Sequence, residues 1–462
     1  MSEKHFLIPR DTVASADPRM NNASARNLWC GFTFGTSTLK LTDGAPCRFT
    51  VGHPQIPTLP DGAEYIITAD ERGLAVVARD YPSLMRGYSA LLLKIENTDH
   101  VGTLGIAPLT ERSAYRLKNR MIHYCIFPET DLLMLRRYLR LSAVAGYTHA
   151  VLEFWGTLPF DCLSSLAWRE HCFTKDEIRD LLREMRELGI EPVPMFNQLG
   201  HASASRVRSG KHVVLDQDPS KYALFTEDGW SWNTFNPDAR KLLTAVRAEL
   251  YELFGEGEYF HAGLDESYSY NPPHMFETLP EYLGELTHAI AAEGRRPMIW
   301  MDMLLPAEAY GDGMHAEECS NKTPEACRRV LDALHPSTVL VDWQYDIKKA
   351  PVPTSLYLKS SGFDIMGAPW LNAENGKAHI DTAADNGLFG VMLTTWHTLP
   401  KDGQSILRFA QNFGAASSPY SPICTRNTEP ATLLRKLTFE PITYEQAGWM
   451  THQIVTGTEQ TL

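Results

Sequence analysis

Eight short apolar strands alternating with helical stretches, most of which stop at a glycine, predict an α/β fold, a (β/α)8 TIM barrel preceded by a small α+β domain. Three observations carry that prediction. The rhythm starts near residue 120 and lasts roughly 280 residues, against about 250 for a typical barrel. Neither GxGxxG nor GxxxxGK[ST] occurs, which disfavours a doubly wound nucleotide-binding sheet. Strand-like segments within 1–115, such as AEYIITADERGLAVVA, stand outside the rhythm as a separate module. The expected boundaries are 1–115 for the small domain, 116–415 for the barrel and 416–462 for a C-terminal cap packed on it.

In the small domain, the Pro- and Gly-rich stretch from Gly52 to Gly62 reads as irregular chain between strands. Arg120–Ile126 is the first barrel strand. Asp131–Ala145 is a helix stopped at Gly146, and His149–Trp155 is strand two. Thr174 and Glu177 form a capping box, and Ile178, Leu181, Leu182, Met185 and Leu188 follow at helical spacing. Gly189 stops that helix, and Ile190–Phe196 is strand three. Asn236 caps a helix with Pro237 in its first turn, Gly255 ends it, and Tyr259–Gly263 is strand four. The helix around Tyr282–Ala292 leads to Met298–Met303, and Pro324–Leu334 leads to Val339–Trp343. A short helix before Gly362 leads to Phe363–Ala368, and Ile380–Asn386 leads to Phe389–Trp396.

Composition excludes several classes. Of the 462 residues 44% are hydrophobic and 21% charged, an ordinary globular balance. No apolar run reaches the ~18 residues of a membrane helix. The net charge of −13, without a basic cluster, disfavours nucleic acid. The opening MSEKHFLIPRDTVASADPRM lacks a signal-peptide core, so a cytoplasmic location is expected. The eight cysteines form no CxxC pair and read as mostly buried free thiols.

Barrel enzymes act at the C-terminal ends of their strands. There the sequence places Asn197, Gln198, Gly200 and His201 after strand three, and His261 with Asp265 and Glu266 after strand four. Trp300 and Asp302 follow strand five, Trp343 and Tyr345 strand six, Trp370 and Asn372 strand seven, and Trp396 with His397 and Thr398 strand eight. A carboxylate pair ringed by indoles suits a sugar, whose C–H face packs on aromatic rings. Glycosidic cleavage needs a carboxyl proton donor and a second negative group for the oxocarbenium-like state. Burial beside aromatics is expected to raise the donor's pKa. Each feature also has a plainer reading. An Asp–Glu pair can complement a helix dipole, and single tryptophans or histidines are usually core. A cation held by His201, His261 and Asp265 is disfavoured, because strand one, RMIHYCI, carries only His123 where metal-binding barrels usually carry HxH.

These residues resemble glycoside hydrolase family 20, the β-N-acetylhexosaminidases. FHAGLDES is similar to the family's H-x-G-G-D-E, GIEPVPMFNQLGHASA to its G-I-x-V-I-P-E-I-D-x-P-G-H-A, and PMIWMDMLL to its P-x-x-W-D-E-I-L. Trp396-His397-Thr398 resembles its W-x-E, and AEYIITADERGLAVVARDYPSLMRGYSALLLKI the end of the small domain before its barrel, so the likeness spans roughly residues 60 to 400. The resemblance implies an exo-acting, retaining, substrate-assisted mechanism without metal or cofactor. Glu266 would be the acid–base, and Asp265 would hold the 2-acetamido group. It further implies that Arg120 grips sugar hydroxyls, that His201 supports Glu266, and that Trp300, Trp343 and Trp396 wall the pocket. The implied partner is an N-acetylhexosamine-containing oligosaccharide or glycoconjugate, with no nucleic acid or membrane partner; whether the chain forms a homodimer stays open.

The departures from the family pattern are specific. Strand two ends in FWGT instead of Asp-Asp, Asn197 replaces an Asp, and Trp370-Leu371-Asn372 replaces Y-L-D. Tyr345 and Tyr268 are the candidates to replace the missing acetamido-contacting tyrosine. Thr398 stands where W-x-E has Glu. The pattern implies a divergent member acting on terminal GlcNAc, GalNAc or a substituted hexosamine. Two other readings stay open: a non-catalytic carbohydrate-binding barrel, and a retaining glycosidase whose nucleophile is an enzyme carboxylate. The latter needs a second carboxyl ~5–5.5 Å from Glu266, and Asp302 is the obvious candidate.

Overall fold

The structure, a computed structural model, describes residues 5–98, 103–203, 211–311, 323–396, 402–414 and 430–439. The first part of the chain forms strands β1 (Phe6–Leu7), β2 (Asp11–Ala16), β3 (Thr38–Asp43), β4 (Arg48–Gly52), β5 (Tyr65–Asp70), β6 (Gly73–Ala78), β7 (Glu96–Asn97), β8 (Leu104–Ile106) and β9 (Leu109–Arg112). Six of them make a sheet in the order β3-β2-β4-β6-β5-β9, and β1-β8-β7 make a smaller one. Along β2 exposed and buried residues alternate, the mark of a sheet with one wet face, whereas β6 is buried throughout. Two helices cover the inner face, α1 (Ala23–Phe32) and α2 (Tyr81–Leu92). The second starts at Asp80, whose side chain accepts from Ser83 N, with Pro82 in its first turn.

The barrel follows as β10 (Asn119–Ile126), α3 (Leu132–Val144), β11 (His149–Phe154), α4 (Lys175–Glu187), β12 (Glu191–Met195), α5 (Val214–Gln217), α6 (Pro237–Phe254) and β13 (Tyr259–His261). It continues through α7 (Pro273–Phe276), α8 (Leu279–Ala292), β14 (Arg296–Trp300), α9 (Pro324–Ala333), β15 (Val339–Trp343), α10 (Pro353–Lys359), β16 (Asp364–Ala368), α11 (Ala373–Asn386), β17 (Gly390–Thr394) and α12 (Asp402–Ala410). The eight strands β10–β17 are parallel, and β17 pairs with β10 to close the barrel. The Thr174–Glu177 capping box forms, and Asn236 caps α6 with Pro237 at its start. Several strands stop a residue or two short of expectation, and two boundaries differ more. Strand five ends at Trp300, because the chain turns into a 3-10 helix at Asp302–Leu304. Helix α11 begins at Ala373, not Ile380, because Asn372 accepts from Glu374 N and Asn375 N.

Inward-facing side chains plug the barrel. Met121, Met195, Met298, Met366 and Met392 join Val151, Val193 and Tyr259 in one buried cluster, with Trp300 above them. Flexible thioethers fill the irregular centre of such a plug well. The polar residues of the strand ends are thus mounted on a packed floor.

The small domain docks on the N-terminal end of the barrel. Arg120, the second residue of β10, is fully buried there. Its guanidinium donates to Glu64 Oε1 at 2.9 Å and Oε2 at 3.1 Å, its Nε donates to Gly146 O, and it stacks 3.7 Å over Tyr115. Arg86 shares Glu64 Oε2 at 2.7 Å. Across the seam Tyr81 donates to Glu187 O at 2.7 Å. A last helix, α13 (Pro430–Lys436), packs on both α1 and α3. Residues 416–429 and 440–462 of the expected C-terminal cap lie outside the described residues, as do His397, Thr398, Cys319 and Cys424. The described cysteines are free, but only Cys125 and Cys327 of the six are buried, so the expectation of mostly buried thiols is corrected. Among the described residues no helix is long and apolar enough to cross a membrane.

Candidate active site

The C-terminal mouth of the barrel gathers Asp265, Glu266, His201 and Asp302. Two tight turns make this possible. Beyond β13, Gly263 has φ +69°, and a Cβ on it would sit 1.2 Å from Asn197 Oδ1. A Cβ on Gly200 would sit 2.1 Å from the carbonyl oxygen of Asp265. The loops after strands three and four therefore pass closer than any side chain allows. His201, Leu264, Glu266, Leu371 and Trp396 all hold positive φ at this end of the barrel, between +43° and +88°. Such backbone is costly for non-glycine residues and tends to cluster at working sites.

Asp265 is buried, and each of its oxygens accepts from one fixed donor. Asn197 Nδ2 donates to Oδ1 at 3.1 Å and Lys211 Nζ to Oδ2 at 3.3 Å. His201 Nε2 lies 3.4 Å from Oδ2 and 3.1 Å from Glu266 Oε2. Glu266 is anchored through its backbone: its N–H donates to Asp302 Oδ2 at 2.8 Å, and its carbonyl accepts from Trp230 Nε1 at 2.6 Å. Its side chain stays 29% exposed, enough for solvent or a ligand to reach it.

The electrostatics differ from the expectation in one respect. Burial does push the Glu266 pKa up, but hydrogen bonds and charge from His201, with help from Tyr268 and Lys211, outweigh it, and the pKa ends below the ordinary range. The carboxyl that is raised is Asp302: burial and the neighbouring Asp265 carboxylate push it well above the usual value. Its oxygens accept from Glu266 N–H and, at 3.2 Å, from Trp343 Nε1.

The aromatic ring forms with one exception. Trp343, Tyr345, Trp370 and Trp396 are half-buried. Tyr345 stacks on Trp343 at 5.2 Å, meets Trp370 edge-on at 5.4 Å, and its hydroxyl accepts from Trp396 Nε1 at 2.7 Å. Trp300 is fully buried, edge to face with His123 and 4.5 Å from His261. It is part of the floor beneath the site and not an open wall, since strand five turns away directly after it.

Two expected binding residues are placed elsewhere. Arg120 lies at the opposite end of the barrel, locked on Glu64; the C-terminal end of β10 carries Ile126, Phe127 and Pro128 instead. Asn372 is exposed and uses its side-chain oxygen to cap α11. Of the two tyrosines, Tyr345 belongs to the aromatic wall, and Tyr268 hydrogen-bonds Glu266 and stacks on Trp230 at 5.8 Å.

The structure adds residues that the sequence reading missed. Glu153, inward on β11, is fully buried; its Oε1 lies 2.7 Å from Lys211 Nζ, and its Oε2 lies 3.1 Å from His123 Nε2 and accepts from Trp155 Nε1 at 3.0 Å. His123, Cys125 and Glu153 sit close enough to share a cation. The Lys211 ammonium already pairs with Glu153 there, so this donor set has its own positive charge and fits a second one poorly. Lys211 had no readable signal: it lies ten residues beyond His201 in an unremarkable polar stretch.

No family model matches the sequence. Solved structures match in fold. An exo β-N-acetylglucosaminidase of glycoside hydrolase family 20 from Vibrio harveyi, in complex with N-acetylglucosamine, superimposes with a TM-score of 0.65 at 14% identity over 94% of this chain and 74% of that one. The family-20 β-N-acetylhexosaminidase from Streptomyces coelicolor A3(2) gives 0.65 at 14% identity over 96% and 95%. Streptomyces plicatus N-acetyl-β-hexosaminidase gives 0.64 at 14% over 97% and 93%. The chain therefore shares the fold of the family-20 β-N-acetylhexosaminidases, small domain and barrel together.

Proposed function

We propose that this protein is a divergent family-20 glycoside hydrolase, an exo-acting, retaining β-N-acetylhexosaminidase that releases terminal β-linked GlcNAc or GalNAc, plain or substituted. The single observation behind this reading is the Asp265–Glu266 pair with His201 between the two carboxylates, at the end of the barrel where catalysis takes place. The nucleophile is the substrate's own 2-acetamido oxygen, which attacks C1 as the glycosidic bond breaks. Glu266 delivers a proton to the leaving oxygen, and Asp265 accepts the acetamido N–H as positive charge grows on the oxazolinium ring. Glu266 then takes a proton from water as it attacks C1, the C1–oxygen bond of the oxazolinium ring breaks to restore the acetamido group, and configuration is retained. Tyr345 is the group of the aromatic wall suited to donate to the acetamido oxygen.

An enzyme-carboxylate mechanism is less well supported. Asp302 is buried, accepts hydrogen bonds at both oxygens and has a raised pKa, all of which make a poor nucleophile. The test is incubation with aryl β-GlcNAc, β-GalNAc and β-glucoside, with and without a thiazoline analogue of the oxazoline. Hydrolysis of an N-acetylhexosaminide that the thiazoline blocks is the expected result. Glucoside turnover would favour the carboxylate nucleophile. No turnover, with the thiazoline still raising Tm, would favour a binding protein.

A further inference from the structure

Lys211 has no role in the steps above, yet its placement is demanding. Its side chain is 1% exposed. A desolvated ammonium survives only if paired, and Lys211 has two partners: Glu153 Oε1 at 2.7 Å and Asp265 Oδ2 at 3.3 Å. Its Nζ also faces the rings of Trp155 and Trp396 at 5.5 and 5.2 Å. The backbone is held as firmly. Lys211 N–H donates to His201 O at 2.8 Å, and the next residue, His212, stacks on Phe196 at 4.2 Å. Burial opposes the charge, but Asp265 and Glu153 outweigh it and hold the ammonium above an ordinary lysine.

The contacts divide the two oxygens of Asp265. A carboxylate oxygen accepts about two hydrogen bonds. Oδ2 accepts from Lys211 at 3.3 Å and has His201 Nε2 beside it at 3.4 Å, whereas among the described residues Oδ1 receives Asn197 alone and can accept a second donor. We infer that Lys211 is a positioning residue: by bridging Glu153 to Oδ2 of Asp265 it fixes that carboxylate and leaves Oδ1 as the acceptor for the substrate's acetamido N–H. This rests on the hexosaminidase reading and names the atom that does the recognition.

Two measurements test it. The first is the wild-type protein crystallised with the thiazoline: its ring nitrogen is expected within hydrogen-bond distance of Oδ1, with Lys211 Nζ still on Oδ2. Contact through Oδ2, with Lys211 displaced, overturns the inference. The second compares Lys211→Gln with the double variant Lys211→Met/Glu153→Gln, which removes both buried charges together and so protects the fold. In folded protein kcat is expected to fall up to about 100-fold with KM within about threefold, as for a misplaced reacting group. Thiazoline Kd should rise by the factor lost in kcat, while Kd for the free N-acetylhexosamine product stays within about threefold. Wild-type kcat in either variant, or equal weakening of thiazoline and product, overturns the positioning role alone. Wild-type protein that neither turns over an N-acetylhexosaminide nor binds the thiazoline overturns the hexosaminidase reading, and this inference with it.

Discussion

In the proposed mechanism Glu266 carries a proton to a leaving group, yet His201 favours its ionised form. The consequence is a definite pH behaviour. With its pKa depressed in the free enzyme, the acid form of Glu266 declines as pH rises through a value below the ordinary carboxylate range. For alkyl glycosides, which need the proton, kcat/KM is therefore expected to climb toward acidic pH. His201→Leu removes the hydrogen bond that lowers the pKa, so the alkaline limb should move to higher pH; a limb that stays or moves down would refute the assignment. Glu266→Gln should cost about 10²–10⁴-fold in kcat on poor leaving groups and less on aryl glycosides. Equal losses on both would contradict the proton-donor role. Asp265→Asn should lower kcat on N-acetylhexosaminides, and an unchanged rate would remove the oxazolinium assignment.

At the scale of elements, the same kinds of residue do different work at the two ends of the barrel. Arg120 opens β10 and serves the seam with the small domain; Asp265 and Glu266 follow β13 and serve the mouth. Breaking a buried ion pair by removing one partner typically costs about 3–5 kcal/mol. Arg120→Met is accordingly expected to lower stability by about that much in denaturant unfolding, leaving KM of the remaining folded protein unchanged. A large rise in KM at unaltered stability would return Arg120 to the sugar site. Motif matching placed Arg120 wrongly because a one-letter match carries no register: at about 3.3 Å per residue, the two ends of an eight-residue strand are different surfaces.

For the molecule as a whole, α13 bridges α1 and α3, and Glu64 bridges Arg86 and Arg120, so the small domain and the barrel share buried charge and a common helix. Unfolding is expected to be a single transition, with near-UV signals from the barrel tryptophans and far-UV signals from the whole chain coinciding on heating. Two separated transitions would show that the domains are energetically independent. What the one-dimensional sequence determined is the architecture, since helical periodicity, caps such as Thr174–Glu177 and glycine stops such as Gly189 and Gly255 are local rules that act within a few residues. The Asp265–Glu266 pair, His201 and the wall of Trp343, Trp370 and Trp396 were legible for the same reason: in a parallel barrel, the residues just after each strand must converge at one mouth. Only the tertiary structure decided which of the candidates is buried floor, which caps a helix, and which carboxyl has its pKa raised. It alone brought Lys211 and Glu153 to Asp265, because burial, register and the field of neighbouring charges depend on residues far apart in the chain.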